Sequence, residues 1–138
     1  MVQIPDRFPF FKWLLILMAV YTAVWMALEG DFRRVLAMGV GWTAVLLLHL
    51  IQKYAGGRVQ RRWVLVVETA VVGILFALST IALTLVFMVL KTGIHGHGPE
   101  FSPHEINQLI EKLPIALLAG MIAGTGVGLF IVALNNNE

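Results

Sequence analysis

Residues 63–90 read WVLVVETAVVGILFALSTIALTLVFMVL, twenty-eight positions with one ionisable side chain, Glu68. As a helix rising 1.5 Å per residue this stretch is about 42 Å long, more than the roughly 30 Å of a bilayer's hydrocarbon. Apolar residues do not alternate along it as they would in a half-buried strand. In lipid every backbone amide must be satisfied within its own segment, so the stretch reads as a membrane-spanning helix that tilts or projects.

Three more apolar runs flank it, at about 10–28, 32–54 and 113–134, separated by short polar breaks and one longer polar loop, 91–112. The fold class expected is an all-α membrane protein. It is a four-transmembrane-helix bundle with a short amphipathic helix before the last span, forming one integral membrane domain over 1–138. The first run ends in Leu28-Glu29-Gly30-Asp31, without a small-x-small cleavage site, and reads as a retained span. Gly30 is expected to take a left-handed cap conformation and Asp31 to cap the second helix.

Composition agrees. Of 138 residues 59% are hydrophobic and 13% charged, and the mean hydropathy is +0.84, far from an average soluble domain. No cysteine is present, which excludes disulfides, thiolate metal sites and cysteine nucleophiles. The net charge of +2 sits beside the spans and does not indicate nucleic-acid binding. Arg7, Lys12, Lys53, Arg58, Arg61 and Arg62 fall on one side of a four-span arrangement, and Arg33, Arg34, Lys91 and Lys112 on the other. The positive-inside rule then places both termini in the cytoplasm, in a bacterial cytoplasmic membrane or its equivalent.

The last run carries a packing signal. Ala116, Gly120, Gly124 and Gly128 recur every fourth residue as overlapping GxxxG motifs, which let two backbones approach where lipid supplies little other drive for association. Gly73, with Thr69, Ala77, Thr80 and Thr84, offers a matching face on the third run, and the two faces are expected to meet within one chain. Before the last run, Ser102, Pro103 and Glu105 form a helix-start pattern with a Phe101–Ile106 staple. Ile106, Leu109, Ile110 and Leu113 then share one face, and Pro114 is expected to kink or restart the helix.

Two polar clusters stand out. His95, His97, Glu100 and His104 lie within ten positions, and imidazoles with a carboxylate are ligands for a divalent metal, the one cofactor the sequence suggests. A solvated loop is the plainer reading. His49 and Glu68 each lie about five residues inside a span end, so an intramembrane polar pair is expected, with Lys53 competing for it. Tyr21, Trp25, Trp42 and Phe76 are of the type that borders a pigment or quinone, although scattered aromatics more often pack. Only His49 among the histidines is in a span, so a bis-histidine haem site is not supported, and no nucleophile triad, phosphate loop or HExxH pattern occurs.

The function expected is therefore non-catalytic: an accessory or scaffold subunit whose partners are the bilayer and other membrane subunits or further copies of itself. The alternative is a homo-oligomeric small transporter or channel-like protein, tied to a metal ion through the histidine loop.

Overall fold

The computed structural model describes residues 1–28, 30–94 and 100–135. Five helices and two short strands follow in the order β1 (Val2–Gln3), α1 (Phe11–Ala27), α2 (Phe32–Ala55), β2 (Val59–Gln60), α3 (Arg62–Ile94), α4 (Pro103–Glu111) and α5 (Leu113–Leu134). The class is all-α. Three helices, α2, α3 and α5, are long and apolar enough to cross a membrane, and α1 is equally apolar but has 17 residues. At 1.5 Å per residue α1 is about 26 Å long, short of the roughly 30 Å of hydrocarbon, so length alone does not make it a fourth span.

The helix ends follow local chemistry. The Asp31 carboxylate accepts from the Arg34 amide at 3.0 Å and caps α2. Ser102 and Glu105 close a capping box on α4, with Pro103 in its first turn. Leu113 and Pro114 open α5 directly after α4. Gly30 departs from expectation: among the described residues only Gly57 has a positive φ, +73°. Gly30 instead makes room, because a Cβ there would sit 2.6 Å from a Glu100 carboxylate oxygen.

The long helices are arranged as an open row. α3 lies between α2 and α5 and packs extensively on both, while α1 packs mainly on α2. The α3–α5 crossing is made by glycine. A Cβ on Gly73 would strike the Gly120 carbonyl, and one on Gly124 the Thr69 carbonyl. Thr84, read from sequence as part of that same face, turns to α2 instead, where Gly39 is pressed against Thr84 Oγ1 and the Thr80 carbonyl, while Thr80 also borders a hollow lined by α5. α1 is joined to α2 by Trp42 Nε1, which donates to Thr22 Oγ1 at 2.9 Å, and by Gly41, which accommodates the Met18 thioether.

The two ends of the row differ. At one end β1 pairs antiparallel with β2, Val2 opposite Gln60, so the N-terminal segment is strapped across the α2–α3 turn. Ile4 donates to the Arg58 carbonyl and accepts from the Gly57 amide, both at 3.0 Å. At the other end Trp25, Val35, Met38, Met88 and Phe101 form a core in which each is at most 4% exposed. α3 is about 50 Å long, more than a roughly 30 Å hydrocarbon slab, and this core gathers around its last turns.

Candidate functional site

Lys91 ends the apolar run of α3, yet its side chain is fully buried in that terminal core. Its Nζ donates to the Trp25 carbonyl at 3.0 Å and to the Leu28 carbonyl. These carbonyls lie in the last turn and at the C-cap of α1, where the Trp25 oxygen also accepts from the Leu28 amide at 3.1 Å, and a cation there complements the negative end of the helix dipole. The same ammonium lies 4.4 Å from the centre of the Trp25 ring and 3.7 Å from the Glu100 carboxylate. One side chain thus ties α1, α3 and the segment entering α4 together. Sequence reasoning counted Lys91 only as a topology charge. The available signal was its place directly behind a 28-residue apolar run, opposite the end of the first run.

The site with room for a ligand lies at the strapped end. There α2 and α5 stand apart on either side of α3, and a half-open cavity of about 670 Å³ is left between them. Its floor is α3 from Leu65 to Phe76, its walls are Ile51 and Ala55 of α2 and Ala123 and Val127 of α5, and the strap residues Val2–Pro5 with Phe8 close its end. Glu68 is the one ionisable residue among its described lining. Toward the other end Phe76, Gly120 and Ala123 also border a second, shallower hollow of about 410 Å³, lined by Leu36, Leu109 and Lys112.

The polar neighbours of Glu68 in the cavity are largely committed elsewhere. The Thr69 hydroxyl donates within its own helix toward the Leu65 and Val66 carbonyls, at 2.9 and 3.0 Å. The Asn135 amide donates to the Ile131 carbonyl at 2.9 Å. Among the described residues Glu68 makes no hydrogen bond or ion pair. His49, its expected partner, is exposed on another side of the row and stacks on Phe11 of α1, ring centres 6.1 Å apart. Lys53 lies 5.2 Å from the Tyr54 ring centre. The structure therefore does not join His49 to Glu68: His49 faces α1, whereas Glu68 faces the space between α2 and α5.

Of the four candidate metal ligands, His95 and His97 lie outside the described residues. Glu100 is engaged by Lys91, and His104 is exposed on α4 with a ring nitrogen 2.9 Å from Gln108 Nε2. Among the described residues no group of three or more potential ligands converges. The aromatics weighed as a pigment or quinone border are separated: Trp25 is in the terminal core, Trp42 bonds to Thr22, the Tyr21 hydroxyl donates to the Arg34 carbonyl at 3.3 Å, and only Phe76 lines the cavity.

The chain matches no protein-family model, and no curated protein and no solved structure matches it.

Proposed function

We propose that this chain is a small, non-catalytic, multi-pass membrane protein that serves as an accessory or scaffold subunit packed against a larger membrane complex. The observation that carries the reading is the open row. In a closed bundle each helix has neighbours on two sides, but here α1 and α5 stand at the edges, and α5 buries only Gly124 and Gly128. Helix association in lipid depends on close packing. An edge helix with small residues left over, such as Gly126 with open space around it, suits a lateral neighbour.

In this proposal the chain crosses the bilayer four times. α1 spans by continuing through the turn at Phe8, whose carbonyl accepts from the Phe11 amide at 3.1 Å, and by local thinning of the bilayer over the few missing ångströms. The strap brings the N-terminal segment to the α2–α3 turn, the side with the larger share of Lys and Arg, which supports cytoplasmic termini. Native mass spectrometry of the protein extracted from its own membrane in mild detergent tests the role. Reproducible co-extraction with larger subunits is expected. Recovery of an isolated monomer or homo-oligomer overturns the subunit reading.

A further inference from the structure

The cavity at Glu68 lies within the row and not on its outer edge, so a lateral subunit leaves it unexplained. Glu68 is half-buried and lines this otherwise apolar hollow; a carboxylate beside so much apolar surface favours a cation next to it, and among the described residues none pairs with it. We propose that this cavity binds a lipophilic organic cation, its apolar body between α2 and α5 and its positive centre at Glu68.

The alternatives fit less well on chemical grounds. A metal ion asks for several oxygen or nitrogen ligands, and no group of three potential ligands converges among the described residues. A phospholipid with an amine head would bring its phosphate beside the carboxylate, and no cation is among the described lining to receive it. A partner helix lying along the groove would run into the strap, which closes the end at Val2–Pro5. A neutral polar ligand would find few groups to bond, because Thr69 and Asn135 already donate to their own helices. The volume of about 670 Å³ lies within the usual range for small-molecule sites. Phe8 and Phe76 are also in the lining, and aromatic rings are good neighbours for a weakly hydrated cation. Since the strap closes one end, the ligand enters sideways from the bilayer.

The test is equilibrium dialysis of tetraphenylphosphonium against the full chain in phosphatidylcholine nanodiscs, with empty nanodiscs subtracted. Saturable binding is expected, weakened about tenfold or more by Glu68→Gln, the order for losing one charge contact in a partly dry site. Val127→Trp, which fills the cavity and keeps the carboxylate, should abolish binding. Glu111→Gln, an exposed acid on α4, should leave binding unchanged. Absence of saturable binding, wild-type affinity in either Glu68→Gln or Val127→Trp, or an equal loss in Glu111→Gln overturns the proposal.

Discussion

Lys91 and Glu68 are the two ionisable residues on α3 away from its first turn, and they stand in opposite situations. Lys91 is fully buried but answered by two carbonyls, a ring face and a carboxylate. Removing one partner of a buried ion pair leaves the other uncompensated, which costs about 3–5 kcal/mol. Lys91→Met should therefore lower stability by that order in equilibrium unfolding from mixed micelles. Lys91→Met combined with Glu100→Gln should lower it less, because the double variant removes the carboxylate charge together with the cation 3.7 Å from it. Equal losses in the single and double variants would show that the ammonium's contacts to the α1 carbonyls, and not its pairing with Glu100, carry the effect. Glu68 borders an apolar cavity with no such partner, so Glu68→Gln should raise stability by about 1 kcal/mol in the same assay. Neither situation was legible in the sequence, where each residue is simply a charge near the end of an apolar run. What separates them is which helices arrive alongside, and that is set by residues far away in the chain.

Helix boundaries were the most legible features at the next scale, because they are fixed locally. Asp31, the Ser102–Glu105 box and Pro114 each act within one turn, and each marks a helix start in the structure. The small-residue spacing was informative for the same reason: every fourth position shares one face of a helix. It could not show that the α3 face divides, with Thr69, Gly73 and Ala77 against α5 and Thr84 against α2. A 33-residue helix is long enough to serve two neighbours in turn, and spacing carries no partner identity. The crossing itself is testable with a matched pair. At Gly124 a side chain would meet the Thr69 carbonyl and Ala70 Cα, backbone atoms with no rotamer to yield, whereas at Gly126 nothing lies within 4 Å. Gly124→Leu should cost about 1–3 kcal/mol or more by overpacking, and Gly126→Leu close to nothing, in an isolated chain unfolded in detergent. Similar losses at both positions would mean that small residues matter along the whole helix and that the α3 contact is not what Gly124 serves.

An open row and a closed bundle have the same sequence signature, because a helix face turned to lipid is as apolar as one turned to another helix. This is why the number and direction of the spans were readable only as an expectation, while the row had to come from the structure. α1 is apolar but, at 17 residues, shorter than the other long helices. The strap makes its topology testable: since Val2 pairs with Gln60, the N-terminal segment and the α2–α3 turn must lie on one side of any membrane that α2 and α3 cross. If α1 also crosses, its far end and the start of α2 lie on the opposite side. The chain has no cysteine, so single substitutions report location without background. Gln3→Cys and Arg61→Cys should react with an impermeant maleimide only from the cytoplasmic face, and Arg33→Cys and His104→Cys only from the other. Labelling of Gln3→Cys and Arg33→Cys from the same face would remove α1 as a span. The strap would then have to open in the membrane, because α2 alone places Arg33 across the bilayer from the turn to which the N-terminus is pinned.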